Sequence, residues 1–177
     1  MDDHLIIYDR WGYGKSEPRS KLPAPYFNED MQDRLVLLDQ INVEQASLVG
    51  HIDGGTLALY FSAQYPVRVN HLIPVAAHIS VEPKMETSVE NLRFNDENDE
   101  RFREALSRIH GDISKAVFYN WYNGWVKGNN RNWDTSPILN KITKPTLVIH
   151  GTMDEHASPQ HALEIATNIP STKLWLA

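Results

Sequence analysis

One stretch constrains this chain more than any other. Ala46-Ser47-Leu48-Val49 is a short apolar run that ends at Gly50-His51-Ile52-Asp53-Gly54-Gly55. A mostly apolar segment with Leu57, Leu59 and Phe61 follows as far as Tyr65, where Pro66 stops it. A short apolar run closed by glycine reads as a buried strand, and the next segment reads as a helix from about 54 to 65, ended by proline. Glycines on both sides of a strand-to-helix junction mark a turn too tight for side chains. A helix with so few polar positions has to be covered by other elements, so this unit predicts packing against a sheet.

The same rhythm recurs. His4 to Asp9 is an apolar run that reads as a strand, followed by a glycine-rich turn from Trp11 to Pro18. Asn28 is placed to cap a helix running to about Gln40, with Met31, Leu35 and Leu38 on one face. Residues 71–77 read as another strand, although Pro74 is awkward in a central one. Residues 145–150 read as a strand ending at Gly151-Thr152-Met153-Asp154. A helix from Pro159 to about Ile169 and a strand opening at Lys173 close the chain. Strands alternating with helices predict an α/β fold with a mostly parallel sheet flanked by helices. Between 78 and 142 the alternation gives way to charged and aromatic helical stretches, including Arg101 to His110 and an aromatic group at Phe118, Tyr119, Trp121, Tyr122 and Trp125. The expected organisation is therefore a core at 1–77, a helical insert at 78–142, and the rest of the core at 143–177.

Composition excludes several alternatives. The chain has 177 residues, enough for one domain, with 41% hydrophobic and 23% charged residues. Its net charge of −6 gives no electrostatic case for binding nucleic acid or an anionic membrane. No apolar run approaches membrane-spanning length. There are no cysteines, so disulfides and thiolate metal sites are excluded, and no His, Asp or Glu spacing suggests a metal or a cofactor. The acidic start, Met1-Asp2-Asp3-His4, does not read as a secretory signal, which makes the cytoplasm the expected location. The glycine-rich turn matches neither a P-loop nor a dinucleotide fingerprint.

Three motifs occur in order: Asp9-Arg10-Trp11-Gly12-Tyr13-Gly14-Lys15-Ser16, Gly50-His51-Ile52-Asp53-Gly54-Gly55, and His150-Gly151-Thr152-Met153-Asp154. Together they resemble the α/β-hydrolase superfamily, especially its small esterase-like members around valacyclovir hydrolase and 3-oxoadipate enol-lactonase. The resemblance makes the second motif a nucleophile elbow, small-x-nucleophile-x-small on a strained strand-to-helix turn. It implies serine at position 52, where this chain has Ile52. Isoleucine has no nucleophilic atom, and its branched Cβ suits a strained turn poorly.

The resemblance further implies that Asp154 is the acid that orients a histidine, and that the backbone N–H of Asp53 is one oxyanion donor. It places His51 on the pocket floor and makes the insert a lid, whose Trp121, Tyr122 and Trp125 would wall an apolar acyl pocket. Each has a plainer reading: His51 as a hydrogen-bonded residue beside the turn, Asp53 as an acid favoured in a first helical turn, and the aromatics as helix packing. A carboxylate nucleophile at Asp53 would put His51 in a position that needs a small residue. His156 and His161 follow Asp154 too closely to serve as the family's histidine and read as surface residues.

Relative to the family, the chain reads as truncated at both ends, without the oxyanion loop, the catalytic histidine, or the strand between the runs at 4–9 and 46–49. That gap leaves 4–9 to shift across, pair with another molecule or be poorly held, and makes self-association through sheet edges possible. The expected function is that of a hydrolase-family chain, ancestrally cleaving a small ester, lactone or related acyl compound, and inactive as it stands. Alternatives are a pseudoenzyme that binds a small apolar acyl-type molecule without turnover, and a hydrolase using Asp53.

Overall fold

A computed structural model describes residues 4–20, 27–126 and 133–177. In chain order the elements are α1 (Phe27–Gln40), β1 (Ala46–His51), α2 (Asp53–Gln64), β2 (Val69–Val75), α3 (Pro83–Asn98), α4 (Glu100–His110), α5 (Ser114–Val126), β3 (Thr146–His150), α6 (Gln160–Asn168) and β4 (Thr172–Leu176). The four strands form one sheet in the order β1-β2-β3-β4, and every pairing is parallel. A fully parallel sheet must be covered on its faces, which is why the strand segments are short apolar runs.

The helix after the tight turn explains its own composition. Leu57 and Phe61 pack with Phe27, Met31 and Leu38 of α1, while Ala58 and Leu59 pack with Leu72, Val148 and Ile165 in the cluster that includes α6. Helix α2 is thus apolar on two faces because it is covered on two faces. Each fully buried leucine or phenylalanine here contributes about 1.5–3 kcal/mol. Helix α1 takes in Asn28, expected as its cap.

Pro74 lies inside β2 with strands on either side. The amides of Leu72 and Ala76 donate to Pro145 O at 3.0 Å and Ile149 O at 2.9 Å, on the β3 side. The missing N–H of Pro74 falls between them, so its cost is one ladder bond toward β3, and the pairing with β1 continues through Gly50↔Pro74.

The run at 4–9 departs from expectation. It forms no strand, and Leu5 and Ile7 are each 84% exposed. A strand exists only through its ladder, and this segment faces the free edge of β1 across a cavity instead of pairing with it. Its end is nevertheless anchored. Ser16 Oγ donates to Asp9 O at 2.6 Å and Lys15 N–H donates to the Asp9 carboxylate at 3.0 Å. Gly14, at φ 56°, must be glycine, since a Cβ there would lie 2.1 Å from that carboxylate carbon. Arg10 and Arg19 both donate to the buried Asp30 carboxylate of α1, at 2.6 and 2.9 Å, tying the turn to the core.

Helices α3, α4 and α5 pack on one another around Val89, Phe118 and Tyr122, a cluster separate from the sheet's core. They are joined to the rest by specific bonds. His110 Nδ1 accepts from Gly14 N–H at 2.9 Å, and Glu82 accepts from both the N–H and the hydroxyl of Ser158.

Candidate active site

At the end of β1 the chain turns within one residue into α2. Ile52 has φ 53° and ψ −119°, a backbone region that β-branched residues avoid and that costs on the order of 1–3 kcal/mol. Hydrogen bonds hold it there: Ile52 N–H donates to Val75 O at 2.9 Å, and Ile52 O accepts from Gly55 N–H at 2.9 Å and Thr56 N–H at 3.1 Å. Gly50 makes the turn possible, since a Cβ on it would lie 2.1 Å from Gly54 O. The side chain of Ile52 stands partly exposed at the tip and faces a cavity.

That cavity has a volume of about 1340 Å³. Ile52, His51, Asp53 and Asp154 all line it, so the turn after β1 and the turn after β3 open at the same carboxyl end of the sheet. Ligands bind in parallel α/β sheets at that end. Met85, Val89 and Leu92 of α3 and Trp121 and Trp125 of α5 form its apolar wall. Tyr122, expected beside the two tryptophans, does not line it. Tyr122 is buried in the helical cluster and donates its hydroxyl to Glu90 at 2.8 Å.

Asp53 opens α2, with its carboxylate 3.4 Å from His78 Nε2 and 3.9 Å from Arg10 Nη2. These two neighbours position the carboxylate at the start of α2. His78 is buried edge-on against Trp125 and Trp133. Tyr13 completes this polar corner under the Arg10 guanidinium; burial pushes its hydroxyl pKa up to about 12, with Arg10 opposing.

Asp154 sits in the turn after β3. One carboxylate oxygen accepts from the N–H groups of His156 at 2.8 Å and Ala157 at 3.0 Å, and the other lies 3.8 Å from His150 Nε2. Burial alone would raise its pKa, but these backbone donors and the neighbouring histidines outweigh burial and hold it below the ordinary value. His161, expected at the surface, is instead buried beneath Ile79, with Nε2 3.7 Å from the Glu82 carboxylate. His156 is exposed, as expected, yet it stands on the cavity wall and is hydrogen-bonded to Ser88 of α3.

The sequence reading did not anticipate Arg10, Tyr13, His78 or Ser88 in this site. His78 carried a usable signal, because it follows a strand at the carboxyl end of the sheet. Ser88 carried none, since its partner lies 68 residues away. Among the described residues, no group of three or more His, Cys, Asp or Glu is arranged to hold a metal ion.

The family described as alpha/beta hydrolase fold matches residues 3–132. The chain belongs to the alpha/beta hydrolase fold family. As a member of that family it is similar to "Serine hydrolase BPHL" of Homo sapiens, 27% identical over 180 residues, covering 97% of this chain and 60% of that protein. It is also similar to "Putative carbamate hydrolase RutD" of Pantoea ananatis (strain LMG 20103), 36% identical over 72 residues, covering 40% of this chain and 26% of that protein. The chain thus spans about 60% of the length of the BPHL relative. Among solved structures, the enol-lactonase from Burkholderia xenovorans LB400 has a TM-score of 0.72 at 19% identity, over 96% of this chain and 70% of that one. Est816, described as an N-acyl homoserine lactone degrading enzyme, has a TM-score of 0.73 at 22% identity, over 96% and 72%.

Proposed function

We propose that this α/β-hydrolase chain binds a small apolar acyl compound, a carboxylic ester, lactone or related molecule, and that its elbow no longer cleaves it. The observation that carries this is Ile52, which keeps the strained backbone of a nucleophile elbow while presenting a hydrocarbon to the cavity. The helical insert acts as a lid, and the apolar wall from α3 and α5 suits an acyl chain. Relatives named as a serine hydrolase and similar folds that act on lactones support the ligand class. The ancestral chemistry would be attack by a serine at 52, with the Asp53 N–H helping to hold the oxyanion and Asp154 orienting a histidine. The test is thermal denaturation with increasing hexanoate and with its methyl ester. A ligand at about 100 times its Kd stabilises by roughly 2.7 kcal/mol, which for a chain of this length raises Tm by about 5–11 °C. No shift up to the solubility limit would overturn the binding reading.

A second reading concerns partners. Segment 4–9 and the edge of β1 are unpaired across from each other, with Val49 71% exposed. Unpaired strand edges template association with other chains, and self-association through this edge follows as a proposal.

A further inference from the structure

Helix α3 places Ser88 one turn after Met85 and beside Val89, on the face that lines the cavity. Ser88 is buried, and its hydroxyl is hydrogen-bonded to Nδ1 of His156. The loop after β3 carries His156 two residues past Asp154, whose carboxylate accepts the His156 and Ala157 N–H groups and so fixes that loop. Three further bonds hold α3 against the same loop: Lys84 Nζ donates to Asp154 O, and Glu82 accepts from both the N–H and the hydroxyl of Ser158. A hydroxyl bonded to an imidazole is the pairing of a nucleophile with its base, and here Asp154 fixes the backbone of the loop that carries the imidazole. It lies in the same cavity as Ile52, beside the apolar wall of Val89, Leu92 and Trp121.

We propose that Ser88 and His156 form a second nucleophile–base pair, which takes the acyl group of a small carboxylic ester bound in this cavity. The proposal rests on the reading of the cavity as an acyl-compound site. Ser88 Oγ attacks the ester carbonyl carbon while its proton passes to His156 Nδ1. The carbon–oxygen bond to the alcohol then breaks, and the leaving oxygen takes the proton from His156. Ser88 is left as an acyl ester and the imidazole is neutral again. A water molecule, deprotonated by the same nitrogen, attacks this ester to release the carboxylic acid and restore the serine hydroxyl. Asp154 is a positioning residue in this scheme, acting through the loop that carries His156.

The test uses the whole chain with p-nitrophenyl butyrate, followed by intact mass and peptide mapping after an acid quench. The expected result is one butyryl group per chain on the peptide containing Ser88. Ser88→Ala should remove it, and His156→Ala should slow its formation by about 100-fold or more. Added imidazole should partly restore acylation of His156→Ala, which a merely structural histidine would not permit. If Ser88→Ala folds poorly by circular dichroism, the imidazole rescue decides the matter alone. Acylation at another residue, or an unchanged rate in Ser88→Ala, overturns the proposal. Failure of the two readings is separable. Stabilisation by hexanoate without acylation keeps the binding site and removes the pair; neither stabilisation nor acylation removes both.

Discussion

Gly50→Ala is the substitution that the elbow should tolerate least. An alanine methyl at this position would sit 2.1 Å from Gly54 O, 2.3 Å from Gly54 C and 2.6 Å from Gly55 N. All three atoms are backbone of the first turn of α2, so no side chain can rotate out of the way. Overpacking a well-filled site costs typically 1–3 kcal/mol, occasionally more, and a backbone collision belongs at the upper end, about 3 kcal/mol. For a chain of this length, about 2–4 °C is lost per kcal/mol, so Tm should fall by about 6–12 °C. Gly54→Ala, four residues on, is the internal control. Nothing lies within 4 Å of its added methyl, and it sits in a helix, where alanine is about 1 kcal/mol better than glycine. Its Tm should stay level or rise by a few degrees. Thermal melts followed by far-UV circular dichroism measure both. Equal melting temperatures for the two variants would refute the claim that close approach at Gly50 builds the turn.

Three other outcomes follow from the structure. Asp30→Ala removes the carboxylate that both Arg10 and the buried Arg19 engage; because Arg19 keeps Glu29, the cost in denaturant unfolding should be about 3 kcal/mol, the lower end for breaking a buried pair; a loss below about 1 kcal/mol would contradict the pairing. Burial lowers the pKa of His110 and of His161 in the folded chain, so the unfolded chain binds protons more readily; their contribution is complete above about pH 6.5 and is lost as pH falls through their folded values. Urea midpoints should therefore decline from pH 7 to pH 5, with a shallower decline in His110→Gln, and a flat profile would contradict this. Ile7→Lys should shift the chain toward monomer in light scattering, because Ile7 is exposed beside the free β1 edge; an unchanged mass would remove the self-association reading.

Where the sequence was legible, short-range physics set the outcome. Strand β1 is a short run closed by Gly50, β3 is an apolar run between Pro145 and Gly151, and the helix following β1 is apolar because two layers cover it. Their parallel order and the shared end of Ile52 and Asp154 follow from that alternation. The run Leu5-Ile6-Ile7-Tyr8 has the same strand-like composition but joins no sheet, because composition reports fitness for a ladder and not the presence of a neighbour. The aromatic group in α5 held information that reading it as one cluster missed. Trp121 and Trp125 are four apart and share the cavity face, whereas Phe118 and Tyr122 are four apart on the face packed into the helical cluster. The Ser88–His156 contact joins elements that no local pattern connects.

On the proposed reading, this chain keeps the backbone of a nucleophile elbow without chemistry assembled around it. Two of the described imidazoles that line the cavity are engaged elsewhere: His78 faces Asp53 and His156 is bonded to Ser88. A serine there would remain a weak nucleophile without a base to take its proton, and triad members gain little singly because they act as a unit. The deciding measurement is the steady-state rate of p-nitrophenyl butyrate hydrolysis by Ile52→Ser against the parent chain, at equal concentration and with folding verified. The expected result is the same rate for both. A rise of about 100-fold or more, on the scale of a working general base, would show an elbow complete in everything but its serine and would contradict the proposed loss of chemistry there.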